Sequence, residues 1–284
     1  MNVTPQSTIK KVKQWGISSG RRLLAETPVW RFFHPRRIHI YSIGLHKTGT
    51  SSIARIFEQS HRAGHEYHLE YTINLAFKKL QKKAPQDEVK RDLQRRDSWC
   101  RLECESNALL IYFASELAAL FPEAKFICTV RSPKEWLRSA IDQQLNVSVE
   151  SRKESNARTL RPWLYDVLPY EKYPEEERAL AENGAWNLET YLDCWTDHYQ
   201  RALSLPKDRI LFIRTRNISS STDRIARFVG IDLKSLSSSD THANRTKKKN
   251  DVLAQIDKRH IKEKIKTICE KTMSHLSDRL KGCK

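Results

Sequence analysis

The sequence predicts an α/β protein with three layers, in which helices cover both faces of a mainly parallel sheet. Short runs of β-branched and aromatic residues alternate along the chain with longer segments of helical periodicity, a pattern typical of parallel sheets. The first strand-like run leads directly into a glycine-containing loop that opens a helix. Strand, glycine loop and helix in this order form the context in which phosphate groups are bound.

The predicted elements follow one another in a simple order. Strands are expected at residues 37–43, 99–104, 125–130 and 209–214, and helices at 51–60, before Leu120, from Pro133 onwards, at 186–203, at 222–229 and at 258–280. The helix after the third strand begins with the sequence Ser-Pro-Lys-Glu, which starts at Ser132. There Ser caps the helix, Pro takes the first helical position and Glu completes a capping box.

The charge distribution divides the chain of 284 residues into three parts. The formal net charge is +17, of which +7 lies in residues 1–40 and +8 in residues 245–284. We expect a basic extension at 1–36 packed on the core, an α/β domain at 37–250 and a basic helix at 251–284. The basic ends predict weak contact with a membrane surface or a polyanion, and no pattern indicates a specific nucleic-acid partner.

An aromatic segment lies between the third and fourth predicted strands. Its first half contains prolines and no helical period, so we expect a binding lid at about 145–185, with Trp163 and Tyr165 as leading candidates. No apolar stretch is long enough to span a membrane and the N-terminus lacks the apolar core of a secretion signal. We therefore expect a cytoplasmic protein.

The six cysteines have no C-x-x-C spacing, which predicts free thiols and no metal site.

The first candidate site is the loop GLHKTGTSS, which begins at Gly44. It has almost the phosphate-loop pattern G-x-x-x-x-G-K-[ST], with Gly49 at the right spacing and Ser51 in the Ser/Thr position. The position that holds lysine in nucleoside triphosphatases carries Thr50, and the lysine of this loop, Lys47, lies inside it. No clear apolar strand ends in an Asp that could hold a metal ion. The loop is therefore predicted to bind an anion that is transferred without a metal.

The second candidate site is the sequence TVRSPKEWLRS. Arg131 ends a predicted strand in this sequence, and Ser139 lies one to two turns into the following helix. We expect the two side chains to converge on one phosphate at the helix N-terminus, where the helix dipole also favours an anion.

These two motifs resemble those of the sulfotransferases that use 3′-phosphoadenosine 5′-phosphosulfate (PAPS). The resemblance implies that the first loop grips the 5′-phosphosulfate and that the Arg and the Ser of the second motif bind the 3′-phosphate. It also implies that a late loop closes over the donor, for which residues 244–247 are the match. The residues expected to contact the donor are His46, Lys47, Thr48, Gly49, Thr50, Ser51, Ser52, Arg131, Ser139, Asn244, Arg245, Thr246 and Lys247.

Sulfuryl transfer needs a base for the acceptor proton and a cation for the departing phosphate oxygen. Lys47 is expected to be that cation, and one lysine can suffice without a metal because a sulfuryl group carries less charge than a phosphoryl group. For the base, the resemblance points to two regions of the chain. Three candidates stay open there: Glu105, His65 and Glu66.

The expected acceptor is the hydroxyl or amine of a small-molecule metabolite. A carbohydrate or polysaccharide sulfotransferase is the alternative, with a sugar stacked on the aromatic lid. A P-loop kinase with a variant loop is a more remote alternative, because it would need a lysine in place of Thr50 and an Asp at a strand end.

Overall fold

The computed structural model describes residues 35–146, 173–237 and 251–281. Within these ranges five short strands form one parallel sheet in the order β2–β3–β1–β4–β5. The strands are β1 (Ile40–Ser42), β2 (Ala63–His65), β3 (Cys104–Ser106), β4 (Lys125–Val130) and β5 (Ile210–Arg214). In register, Ile40 of β1 lies opposite Cys104 of β3 and Lys125 of β4. The predicted α/β fold with a parallel sheet is confirmed.

Nine helices surround the sheet in the described ranges. They are α1 (Thr50–Glu58), α2 (Leu69–Leu80), α3 (Gln86–Cys100), α4 (Ala114–Leu120), α5 (Pro133–Asn146), α6 (Arg178–Glu182), α7 (Leu188–Leu203), α8 (Thr222–Val229) and α9 (Lys258–Lys281). Short 3₁₀ turns connect several of them, the longest at Ala108–Phe113. The predicted Ser132 cap at the start of α5 is confirmed, but the Glu135 carboxylate bonds the Ser132 hydroxyl and not its backbone N–H, so the capping box is only half formed. The Ser132 hydroxyl accepts from the Glu135 N–H at 3.4 Å and donates to the Glu135 carboxylate at 2.8 Å.

Successive strand residues face two separate hydrophobic cores, which explains the three layers. Tyr41, Phe126 and Phe212 pack against one group of helices that includes α5, α7 and α9. Ile40 and Ile127, one residue away in their strands, pack on the other face against α1 and α8. This alternation is what a strand with helices on both sides requires.

The predicted strand at 99–104 is misplaced. Trp99 and Cys100 end helix α3, and the strand begins at Cys104. The inward face of α3 carries Arg96 and Asp97 among its buried residues, so its polar composition hid the helical period. Strand β2 was not predicted, because three residues with a central glycine carry no alternation.

Several predicted features lie outside the described residues. These are the basic extension up to residue 34, the part of the aromatic lid that holds Trp163 and Tyr165, and the late loop with Asn244, Arg245, Thr246 and Lys247. In the described part of the chain, no helix is both long and apolar enough to cross a membrane. The cytoplasmic location stays a prediction.

Candidate active site

A cavity of about 1180 Å³ lies at the carboxyl edge of the sheet, where the loops after four parallel strands meet. Such an edge is the usual place for a ligand in an open α/β sheet. The cavity is lined from the glycine loop by His46, Lys47, Gly49, Thr50, Ser51 and Ser52, from β2 by His65 and Glu66, and from the segment after β4 by Arg131, Ser132, Glu135, Ser139 and Gln143. Trp195 of α7, the end of β5 with the segment after it, and the last turns of α9 line the rest. Two of the predicted motifs therefore meet in one place.

The two glycines of the loop are required by close backbone approach. A Cβ atom on Gly44 would collide with the Thr129 hydroxyl of the neighbouring strand. Gly49 has a φ of +98°, and a Cβ there would lie 2.5 Å from the Ile218 side chain. Gly49 is also the N-cap residue of α1, and it has no side chain that could cap that helix start. The first-turn N–H groups of α1 therefore face the cavity in the way that binds an anion.

Hydrogen bonds hold the loop in this shape from three sides. The Thr48 hydroxyl donates to Leu45 O at 2.5 Å and contacts the Thr129 hydroxyl at 2.7 Å. The Thr215 hydroxyl donates to Thr48 O at 2.7 Å, and the Trp136 indole N–H donates to His46 O at 2.9 Å. The loop is thus preorganised before any ligand binds.

Lys47 stands at the centre of the loop with a φ of +63°, a left-handed conformation that is uncommon outside glycine. Its side chain lines the cavity and is half-buried. Burial lowers the pKa of this lysine from its ordinary value, and the positive charge of Arg131 lowers it further. The carboxylate of Asp142, on α5, acts in the opposite direction. Two cations therefore share one region of the cavity, which favours an anion between them.

Arg131 follows β4 directly, and its backbone is fixed by two aromatic side chains of α7. The Trp195 indole N–H donates to Arg131 O at 3.1 Å, and the Tyr199 hydroxyl lies 3.4 Å from Arg131 N. Ser139 lines the same cavity from the second turn of α5. The structure brings the Arg and the Ser of the second motif to the cavity that holds the glycine loop.

His65 and Glu66 line the opposite side of the cavity, at the end of β2. His65 Nε2 lies 3.0 Å from the Thr50 hydroxyl in the first turn of α1. It also lies 4.0 Å from the Glu66 carboxylate. Glu66 adopts a left-handed φ of +53°, and its N–H donates to Ser106 O at 2.9 Å. Both side chains are therefore held beside the loop and exposed to the cavity.

Glu105 occupies a different environment, in the middle of β3. It is 3% exposed and forms a two-point ion pair with Arg96, which is itself buried. Arg96 also donates to Tyr67 O at 2.7 Å and to the Thr72 hydroxyl at 2.8 Å. Glu105 is not among the described residues that line the cavity. Its carboxylate anchors Arg96, which in turn fixes the backbone next to Glu66.

Sequence reasoning missed two groups of cavity residues. One group consists of Arg214, which ends β5, and Thr215 and Arg216, which follow it. Their position after a predicted strand is the same signal that identified Arg131. The other group, on the last turns of α9, could not be found this way, because only the packing of that helix brings it to the cavity. Among the described residues, no group of three or more His, Cys, Asp or Glu side chains could hold a metal ion.

Comparison with known proteins identifies the family to which the chain belongs. The model of the sulfotransferase domain family matches residues 39–235. One relative, the Ava biosynthesis cluster protein M of Aspergillus versicolor, is 29% identical over 181 residues, which cover 60% of this chain and 68% of the relative. Among solved structures, the sulfotransferase domain from the curacin biosynthetic pathway aligns with 86% of this chain and 98% of its own, at 14% identity and a TM-score of 0.38. Because the family model spans well over half of the chain and includes every strand of the sheet, the protein belongs to the sulfotransferase domain family.

Proposed function

We propose that this sulfotransferase uses PAPS as its donor and transfers the sulfuryl group, without a metal, to a hydroxyl or amine of a small-molecule metabolite. The observation that carries the proposal is the meeting of two anion sites in one cavity. The glycine loop with Lys47 forms the first, and Arg131 with Ser139 forms the second. PAPS carries an anionic group on each side of its ribose, whereas ATP carries its phosphates on one side only.

The shape of the loop fits the phosphosulfate end of this donor. Because Gly49 has no side chain, its backbone lies directly against the Ile218 side chain of the segment after β5, which fixes the narrow turn of the loop. First-turn N–H groups of α1 and the side chain of Lys47 point at the same cavity. Thr50 stands where a nucleoside triphosphatase has its phosphate-binding lysine. This arrangement favours one anionic group over a triphosphate with magnesium.

PAPS, when bound, supplies a sulfuryl group on an oxygen of its 5′-phosphate. The acceptor oxygen or nitrogen forms the new bond to sulfur while the bond from sulfur to that phosphate oxygen breaks. The ammonium of Lys47 neutralises the negative charge that develops on the departing oxygen, together with the N–H groups of the loop. The acceptor proton passes to a base on the protein.

We place the base at the end of β2 and favour His65 over Glu66. Histidine is the side chain suited to accept a proton near neutral pH, and His65 lies within hydrogen-bond distance of Thr50 at the loop. Glu105 is less suitable because its carboxylate is buried and paired with Arg96. Its role in this proposal is to support the segment that carries His65 and Glu66.

A small acceptor is supported by the description of the relative from Aspergillus versicolor as a biosynthesis cluster protein. A sugar acceptor is the alternative, and a panel of phenols, alcohols, amines and sugars with PAPS, read by mass spectrometry, separates the two. Weak contact of the basic ends with polyanions or membranes stays a prediction. The match to the sulfotransferase family argues against the remaining alternative, a P-loop kinase with a variant loop.

The decisive experiment is calorimetric titration with adenosine 3′,5′-bisphosphate and with ATP, both in EDTA. The bisphosphate should bind more tightly to the wild type. Arg131→Ala should weaken bisphosphate binding by about 10- to 100-fold, since a charged hydrogen bond contributes about 1.5–3 kcal/mol. ATP binding should change less.

Lys134→Ala is the matched control, because Lys134 is an exposed cation on the first turn of α5 and does not line the cavity. It should leave the preference for the bisphosphate unchanged. Equal binding of both nucleotides by the wild type in EDTA would refute PAPS as the donor. So would tight ATP binding that appears only when magnesium replaces the EDTA.

A further inference from the structure

The end of the C-terminal helix forms one wall of the cavity, although it lies beyond the residues that match the family model. Four side chains of α9 line the cavity, at positions 273, 276, 277 and 280. These spacings place them on one face of the helix. Three of the four are apolar: Met273, Leu276 and Leu280. The cavity therefore has an apolar wall opposite its polar loops.

The wall is fixed by its packing on the rest of the fold. Helix α9 packs against α7 and against β5. Leu276 is only 2% exposed and belongs to the large hydrophobic core. Arg279, next to Leu280 in the helix, places its guanidinium over the Phe212 ring of β5, 5.2 Å from the ring centroid. Met273 and Leu280 pack against the same core but keep part of their surface accessible.

The order of the strands determines the order in which the site residues lie along the cavity. His65 follows β2, the glycine loop follows β1, Arg131 follows β4, and α9 packs against β5. Neighbouring strands in a sheet are about 4.8 Å apart, so β5 lies about 10 Å from β1. His65 and the apolar wall are therefore at opposite ends of the cavity, with both anion sites between them.

We propose that Met273 and Leu280 of α9 bind the purine base of the nucleotide donor. This inference rests on the proposed function. With the 5′ group at the loop and the 3′-phosphate at Arg131, the nucleoside continues in the same direction, toward β5 and α9. The acceptor has to approach the sulfur from the opposite side, where His65 lies.

The chemistry of the wall suits a flat aromatic ring. A methionine side chain adapts to a ring surface, and its sulfur makes favourable contacts with aromatic groups. Ser277, between the apolar residues on the same face, offers a hydroxyl to the polar edge of the base. The aliphatic side chain of Ile218 lines the cavity as well.

Two probes test this inference: adenosine 3′,5′-bisphosphate and ribose 3,5-bisphosphate, which lacks the base. The wild type should bind the adenosine compound more tightly. Met273→Ala should weaken binding of the adenosine compound by about two- to tenfold, the range of a sulfur–aromatic contact. Leu280→Ala should act in the same direction. Neither variant should change the affinity for the ribose compound.

Met273→Leu, which keeps the apolar volume, should retain most of the affinity. Lys271→Ala changes an exposed residue of the same helix and should have no effect on either probe. Thermal melting curves report whether each variant is folded.

Equal weakening of both probes would show that α9 only shapes the phosphate sites, and unchanged binding of the adenosine compound would place the base elsewhere. Either result overturns the inference and leaves PAPS as the donor. A wild type that binds neither bisphosphate would instead refute the proposed function, and the inference with it.

Discussion

The two edges of the parallel sheet carry cavities of similar size, about 950 Å³ at the amino edge and about 1180 Å³ at the carboxyl edge. Arginines line both cavities. At the amino edge the guanidinium of Arg36 binds the Asp97 carboxylate at 2.7 and 2.8 Å. His39 there contacts both Glu123 and the Tyr41 hydroxyl at 2.9 Å. Arg36 and His39 therefore find their partners within the protein.

The carboxyl edge is different. Among the described residues, no carboxylate forms an ion pair with Arg131, Arg214 or Arg216, although all three line the cavity. The comparison shows how the same residue type serves two purposes. The arginine paired with a buried acid stabilises the fold, whereas the proposed function assigns the arginines at the carboxyl edge to an external anion. A charged cavity is therefore a binding candidate only after its internal ion pairs have been examined.

The largest expected effect is on folding, at the amino edge. Asp97→Asn removes the charge from a buried pair and should lower the free energy of unfolding by about 3–5 kcal/mol, measured by urea denaturation. The pKa of Asp97 agrees with this role. Burial alone would raise it, but His39 and Arg36 outweigh burial and hold it well below its usual range.

Glu123→Gln is the control for this prediction, because Glu123 is 64% exposed and should contribute less than about 1 kcal/mol. Affinity of folded Asp97→Asn for adenosine 3′,5′-bisphosphate should equal that of the wild type. A change in that affinity would contradict the separation of the two edges.

The next effect is on turnover, at the carboxyl edge. Lys47→Met should lower the rate of sulfuryl transfer by about 10²- to 10³-fold, the usual loss when one group that stabilises a developing oxyanion is removed. Its unfolding midpoint should stay close to that of the wild type, because the half-buried ammonium contributes to binding rather than to packing. A variant with full activity would show that Lys47 is not the cation at the leaving oxygen.

The difference in ion pairing between the two edges of the sheet could be predicted only in part from the sequence. The path from β1 through the loop to α1, and the Ser132 cap after β4, depend on residues close together in the chain, and both were predicted. The pairing of Glu105 with Arg96 and of Asp97 with Arg36 was not. These contacts join α3 to β3 and to the segment before β1, and α3 was missed because its buried face is polar.

The cavity residues divide in the same way into those whose position could be predicted from the sequence and those whose position could not. His46 to Ser52, Arg131 and Ser139 follow strands whose patterns were clear, so their convergence could be expected. His65 and Glu66 were chosen as candidates without β2, whose three residues carry no pattern. Met273 and Leu280 could not be predicted, because no sequence pattern within α9 distinguishes the face that lines the cavity from the other faces of the helix.

A smaller effect concerns the pH dependence of donor binding. Burial, and then the charge of Arg131, lower the pKa of Lys47 below its ordinary 10.5. The ammonium should therefore be lost as pH rises through a value below 10.5, and affinity for adenosine 3′,5′-bisphosphate should fall by about tenfold, the equivalent of one charged hydrogen bond. Titrations between neutral and alkaline pH measure this fall. In Lys47→Arg it should shift to higher pH, since a guanidinium stays protonated.

The smallest effect is expected at the outer rim of the carboxyl edge. Arg216 is exposed, so Arg216→Ala should weaken donor binding by no more than about fivefold, as for other exposed charges. The loss should shrink as salt is added, because exposed charges are screened. Arg227→Ala is the matched control: Arg227 is equally exposed but is paired with Asp223 at 2.6 Å on α8, and its removal should leave binding unchanged. A loss at Arg216 that persists in high salt would mean that Arg216 contacts the donor directly, and the binding part of the cavity would then extend from β4 to β5.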